Sequence, residues 1–325
     1  MTSTPDAATA PAAGRSRRRD RSAIRDRLEH GLFRVAFGTL ALLPRDSSGA
    51  VGKLLASAYF RLAPRRRRIL LENLSAAFPD WTERQIRDTA RRCVGSFGAA
   101  VMEFLESPRY SREEMLERVA VVGEENLASA RRRGKGVFLL SAHFGSWELG
   151  AIRAGLLGEP IAPVVRPLDN PLLEEELARR RTRFGNPLIA KREAAREILR
   201  ALRANRTVAI LVDQNVIAEE AIFVPFFGRL AATNPSLAIL QLKTDAAVVP
   251  AFTWPEGGGR YRLEFGRPIL AEEFADAGAD RVERVRRATA RYMEVTEAAV
   301  RGDPSAWLWM HERWKTRPVG DQSRA

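Results

Sequence analysis

The chain has one cysteine and three histidines in 325 residues. The lone Cys93 excludes an internal disulfide and any cysteine-rich metal centre. It has no histidine beside it in sequence and reads as a packing residue. The histidines, His30, His143 and His311, are far apart, so the paired spacing of a zinc protease is missing and no metal is expected. No apolar run reaches 18 residues, which leaves no ready transmembrane helix. The Gly-x-Ser-x-Gly elbow of serine hydrolases does not occur. Residues 1–22 carry no large apolar side chain after Met1 and no signal-peptide core, so disorder is expected there.

Acidic residues are also scarce, and unevenly so. The net charge is +13, and the first 68 residues hold +10 of it, with 14 Arg and one Lys against five acids. Such a field attracts phosphates, anionic headgroups or nucleic acid. Nucleic acid is disfavoured, because residues 15–27 interleave no aromatics with their arginines. The stretch 31–43 is apolar, broken by Arg34 and stopped by Pro44, too short to span a bilayer. It suits a helix lying in a membrane interface, or equally a packed core helix.

What is present in quantity is core-forming sequence, 45% hydrophobic, enough for one large domain or two modest ones. From residue 23 to 108 the pattern is helical: Ile69, Leu70, Leu74 and Ala77 recur at three-to-four spacing. Thr82 with Gln85 reads as a helix start. From about residue 119 short apolar runs alternate with helical segments. The runs are 137–142, 161–165, 208–212, 248–253 and 261–265, with Gly257-Gly258-Gly259 as a turn. The alternation predicts an α/β fold: a mostly parallel central sheet flanked by helices, with a helical N-terminal region. The expected division is a basic tail 1–22, a helical region 23–118, an α/β unit 119–318 packed with it, and a tail 319–325.

Three blocks carry chemistry. Val137-Phe138-Leu139-Leu140-Ser141-Ala142-His143 is a buried strand ending in a histidine, with Glu148 five positions on. Strand ends of this kind face the crevice where α/β proteins bind ligands. There a neutral imidazole takes a proton from a hydroxyl while a carboxylate orients it. Positions five apart diverge on one helix, so the pair meets only if His143 lies in the entering loop. The plainer alternative is a buried histidine capping a helix. In the second block Asp213 and Gln214 end another apolar strand and should reach the same edge. They are followed by Phe223-Val224-Pro225-Phe226-Phe227-Gly228 and Thr233, suited to an acyl chain or to covering a core. In the third, Arg166 follows a strand and suits a phosphate, or plain solvent. Backbone N–H groups near Gly145 are the expected oxyanion donors.

In order along the chain these blocks resemble a known family. His143-Phe144-Gly145-Ser146-Trp147-Glu148 is similar to the His-four-residues-acid motif of glycerolipid acyltransferases. With it stand Asn73-Leu74-Ser75-Ala76-Ala77-Phe78-Pro79, Val165-Arg166-Pro167-Leu168-Asp169-Asn170, Asp213-Gln214, Val224-Pro225-Phe226-Phe227-Gly228 and Trp309-Met310-His311-Glu312-Arg313-Trp314-Lys315. From about residue 28 to 318 this set resembles the lipid A biosynthesis lauroyl and myristoyl acyltransferases. The resemblance implies acyl transfer from an acyl carrier protein or coenzyme A thioester to a hydroxyl of a lipid A precursor, with no cofactor. His143 would be the general base and Glu148 its orienting carboxylate, with Arg166, Asp213, Gln214, Phe227, Gly228 and Thr233 binding substrate. It implies a place at the cytoplasmic face of the bacterial inner membrane, peripheral or N-terminally anchored. Other acceptors, such as a phosphatidylinositol mannoside or a lysophospholipid, and a non-enzymatic peripheral membrane binder, stay open as alternatives.

Overall fold

Strand β2 (Val137–Ser141) carries apolar side chains at its first four positions, none more than 2% exposed. A strand buried on both faces needs parallel neighbours and a cover of helices. The computed structural model, which describes residues 22–318 except 41, 43, 45, 46, 192, 193, 276 and 277, supplies both.

Seven strands form one sheet in the order β1-β9-β8-β2-β5-β3-β4. They are β1 (Val119–Val122), β2, β3 (Ile161–Val165), β4 (Ile189–Ala190), β5 (Thr207–Leu211), β8 (Ala247–Gly257) and β9 (Arg260–Phe265). Every pairing is parallel except β8 with β9, the hairpin turned at the expected glycines. The remaining two strands, β6 (Ile222–Phe226) and β7 (Arg229–Thr233), make a separate antiparallel hairpin.

Helices α1 (Ala23–Leu40), α2 (Ser48–Leu62), α3 (Pro64–Ala77) and α4 (Glu83–Glu106) make up the N-terminal region. Thr82 caps α4 in a complete capping box with Gln85. Helices α2 and α4 cross so closely that a Cβ on Gly52 would lie 2.2 Å from the Gly98 carbonyl oxygen. The others are α5 (Arg112–Arg118), α6 (Glu124–Arg132), α7 (Trp147–Ala154), α8 (Pro171–Thr182), α9 (Ala194–Arg203), α10 (Ser236–Thr244) and α11 (Arg281–Gly302). One apolar cluster lies between one sheet face and α3, α4, α9, α10 and α11. A second lies on the opposite face, under α5, α6 and α7. The helical N-terminal region contributes to both, through Leu70 and Cys93 to the first and Phe104 to the second.

Of the apolar stretch 31–43, residues 31–40 are the second half of α1, which starts at Ala23 and runs to Leu40; residues 41 and 43 lie outside the described residues. Helix α1 is fastened across α8: the Asn170 side chain donates to Asp26 O at 3.1 Å and to Glu29 Oε2 at 3.0 Å. The opposite face of α1 presents Ile24, Leu28, Leu32 and Val35, each 69–73% exposed. Among the described residues no helix is long and apolar enough to cross a membrane.

Candidate active site

Parallel register assembles the site. Ser141 on β2 pairs with Leu211 on β5, so the second residue beyond each strand, His143 and Asp213, come side by side at the sheet's C-terminal edge. The Asp213 carboxylate is 2% exposed and gathers three N–H donors. Its Oδ2 accepts the His143 backbone N–H at 2.9 Å and the Trp307 indole N–H at 2.8 Å. Its Oδ1 lies 2.9 Å from His143 Nδ1. Burial alone would raise the Asp213 pKa, but the charge of His143 and its hydrogen bonds, with that of Trp307, bring it down to about 2. The same carboxylate acts on the ring. Burial would make the imidazole less basic, yet Asp213, by charge and hydrogen bond, and then Glu148 by charge, raise the His143 pKa above its ordinary value. With Nδ1–H given to Asp213, Nε2 is the free base, and the Gln214 amide meets it at 3.2 Å. The Trp147 ring stands edge-on to the imidazole, centroids 5.0 Å apart.

Glu148 does not orient the imidazole. Its carboxylate is bound side-on by Arg181 of α8, through Nε at 3.0 Å and Nη2 at 2.6 Å. A guanidinium fork satisfies both carboxylate oxygens at once and holds Glu148 on the α8 side of the loop. The orienting carboxylate is Asp213, seventy positions away in sequence. Nothing local announces that partnership; only the register of β2 against β5 creates it.

Gly145 is not available as an oxyanion donor, because its N–H is spent on Ala306 O at 2.8 Å. It is a glycine for another reason. Its φ is +55° and an added Cβ would lie 1.7 Å from the Thr253 carbonyl oxygen, so the loop can press on β8 only without a side chain.

The expected acyl-binding segment is also elsewhere. Phe227 and Gly228, with φ of 52° and 70°, are the two-residue turn of the β6–β7 hairpin. The Phe227 ring packs on Phe78 and Trp309, with the Arg301 guanidinium 4.5 Å from its centroid. Thr233 is buried, donates to Ala231 O at 3.0 Å and accepts from Arg313. None of the three lines the cavity beside His143; the hairpin covers the core.

That cavity holds about 1340 Å³. His143, Trp147, Glu148, Arg181 and Gln214 stand on its wall, and so does Arg166. It therefore joins the imidazole to most of the polar residues that the sequence singles out, while Asp213 lies sealed behind the ring. Among the described residues no group of three possible metal ligands occurs.

A C-terminal strap, residues 304–316, ties together the loops that follow β2 and β5. Leu308 N–H donates to His143 O at 3.1 Å, and Asn215 N–H donates to His311 Nε2 at 2.8 Å. The Asn215 side chain exchanges two further bonds with Thr316. Asn73 of α3 holds the strap from behind by donating to Trp309 O at 2.8 Å and His311 O at 2.9 Å. His311 is less basic than usual, first because it is buried, which keeps its Nε2 an acceptor. Sequence reading missed Trp307, Arg181 and the role of His311. The crowded tryptophans near the C-terminus were the only signal that this segment packs inward.

A consequence is measurable. Trp307→Phe removes an N–H from a charged, buried acceptor, whereas Trp309→Phe removes one from the neutral Pro304 carbonyl at 2.7 Å. In denaturant titrations the first is expected to cost about 1.5–3 kcal/mol and the second about 1 kcal/mol. Equal losses would show that the Asp213 charge does not depend on the indole.

Residues 29–316 match the family described as bacterial lipid A biosynthesis acyltransferase. The chain is 29% identical over 286 residues to the lipid A biosynthesis lauroyltransferase of Escherichia coli (strain K12), covering 87% of this chain and 90% of that one. It is 28% identical over 261 residues to the palmitoleoyltransferase of the same organism, covering 80% and 82%. To the myristoyltransferase it is 25% identical over 287 residues, covering 88% and 87%. A histidine on the wall of a large cavity, at the edge of a mostly parallel sheet, fits that likeness, and the chain belongs to the lipid A biosynthesis acyltransferase family.

Proposed function

We propose that the protein moves a fatty acyl chain from an acyl carrier protein or coenzyme A thioester to a hydroxyl of a lipid A precursor. The observation that carries this is the His143 ring, locked through Nδ1 by a buried carboxylate and standing on the wall of a cavity of about 1340 Å³. An acceptor hydroxyl would take the place of the Gln214 amide at Nε2. Nε2 takes the proton of the acceptor hydroxyl as its oxygen attacks the thioester carbonyl. The tetrahedral adduct collapses, the C–S bond breaks, and the imidazolium returns the proton to the departing thiolate. Asp213 stays ionised throughout and stabilises the imidazolium. Arg181 uses Nε and Nη2 on Glu148 and keeps Nη1 without a partner among the described residues. It is the donor we assign to the developing oxyanion in place of Gly145, with Glu148 positioning it. Arg166, Lys191, Arg196 and Arg200 also line the cavity and form no ion pair among the described residues, which suits a phosphate on the acceptor.

His143→Ala is expected to lower kcat about 10²–10⁴-fold in a purified acyl-transfer assay. The pH profile separates the two carboxylates. A protonated His143 cannot act as base, so kcat/KM rises with pH through the raised histidine pKa. In Asp213→Asn the charge that raises that pKa is gone and burial dominates. The acid limb then moves to lower pH, while the plateau falls. In Glu148→Gln the limb also moves to lower pH, but by less, because Glu148 acts on the ring by charge alone while Asp213 acts by charge and hydrogen bond. A limb that follows Glu148 and ignores Asp213 would reverse the assignment.

The reading also places the protein at the cytoplasmic face of the inner membrane. Exposed Ile24, Leu28, Leu32 and Val35 on α1 and Leu54, Leu55, Tyr59 and Leu62 on α2 stand among Arg25, Arg27, Arg34, Lys53 and Arg61. Apolar ridges beside basic residues suit an anionic bilayer surface. Leu28→Ser with Leu32→Ser is expected to weaken flotation with phosphatidylglycerol vesicles at least tenfold. Undiminished flotation would remove α1 from the docking surface.

A further inference from the structure

The cavity straddles the edge of the sheet. Pro163, Ala209 and Leu211 face one side and Val164, Ile210 and Val212 the other, and all six line it. Each is only partly buried, although β3 and β5 lie inside the sheet. A half-buried alanine such as Ala209 in the middle of an internal strand marks a real void above it. The cavity thus has two lobes, one under α7 and one under α9 and α10.

The lobes differ in charge. Under α9 and α10 the wall includes Lys191, Arg196 and Arg200, with Asn215 and Asn234. Under α7 the charged groups are Glu148 and Arg181, bound to each other at the mouth. Below them the wall is Leu139, Gly150, Ala151, Ala154, Ile161 and Ala209. Ala151 and Ala154 lie three apart on one face of α7, where they leave space that larger side chains would fill. Gly150 seats the helix: a Cβ there would lie 1.9 Å from Thr253 Oγ1, so α7 is held tightly to β8 while the void opens toward β5 and β3.

We infer that the transferred acyl chain lies in the lobe under α7, and that Ala151, Ala154 and Ile161 set its length. This rests on the acyl-transfer reading and goes on to say which residues choose among chains. Depth follows from helix and strand geometry. From Trp147 to Ala154 the helix descends roughly 10 Å, and from Val165 to Ile161 the strand descends roughly 13 Å. An extended chain with C–C bonds of about 1.5 Å and tetrahedral angles advances about 1.25 Å per methylene, so that slot takes on the order of eight to ten methylenes. Ile161 and Ala154, 1% exposed each, close its floor, and Ala151, half-buried, stands midway.

The test is acyl transfer by the full-length protein from thioesters of ten to sixteen carbons, with thermal unfolding of each variant as the folding check. Ala151→Leu narrows the slot midway and is expected to shift the short-to-long preference, as a ratio of kcat/KM, at least tenfold toward short chains. Ile161→Ala opens the floor and is expected to shift it at least tenfold toward long chains, so the opposed pair survives failure of either variant to fold. Ala194→Leu fills the other lobe. It is expected to leave the ratio within twofold while raising KM for the acceptor. A preference that moves with Ala194→Leu, or with neither Ala151→Leu nor Ile161→Ala, overturns the assignment. Wild-type protein that transfers no acyl chain of any length refutes the function itself, a different result.

Discussion

The site depends on one buried carboxylate. Asp213 is ionised inside the protein because three N–H groups converge on it, two from His143 and one from Trp307. A buried charge without such donors costs far more than a hydrogen bond returns. The arrangement therefore locks both the position and the tautomer of the imidazole. A second buried charge lies within its field: Arg313 is fully buried, its pKa lowered to about 10 by burial and held up by Asp213. Its Nη1 donates to Ala232 O at 2.6 Å, so the hairpin, the strap and the loops after β2 and β5 belong to one electrostatic unit.

That unit explains why the N-terminal helices are not an appendage. The loops after β2 and β5 are short and irregular, and a loop holds one conformation only where its polar groups are satisfied. Here the strap satisfies them, and α3 and α4 hold the strap. Asn73 bonds two of its carbonyls, Arg66 a third at 3.2 Å, and the Cys93 thiol bonds Pro304 O at 3.4 Å. Burial pushes the Cys93 thiol up, which leaves it a packing and hydrogen-bonding group. The family match over residues 29–316 covers this whole arrangement.

The C-terminal edge of the parallel sheet joins the parts. Strands β2, β3 and β5 bring His143, Arg166 and Asp213 to one edge, as α/β sheets do with their ligand-binding residues. Helix α8 spans two levels of the structure. Arg181 on it holds Glu148 at the cavity wall, and Arg180 beside it packs over Phe37 of α1, 5.2 Å from the ring centroid. The helix that exposes Ile24, Leu28, Leu32 and Val35 is thus one layer from the cavity wall.

Local pattern determined a good deal. Apolar runs identified five of the seven strands of the sheet, to within a residue at most of their ends, because strands buried on both faces read as continuous hydrophobic sequence. Turn and capping chemistry identified Thr82 and the β8–β9 hairpin for the same local reason. Local pattern picked out His143 as the residue ending a buried strand, and the structure places that side chain on the cavity wall. Local pattern could not pair that histidine with its carboxylate. Glu148 is near in sequence and was the natural partner, yet a fork from Arg181 holds it, while Asp213 arrives through the register of two parallel strands. Nor could it separate a cavity wall from a core cover: Phe227 and Thr233 are as apolar or compact as any ligand-lining pair, and only the hairpin's packing on α11 and the tryptophans shows that they face inward. Composition and periodicity report what each segment buries. Which buried groups meet is decided by strand order, register and helix placement, and those belong to the folded chain as a whole.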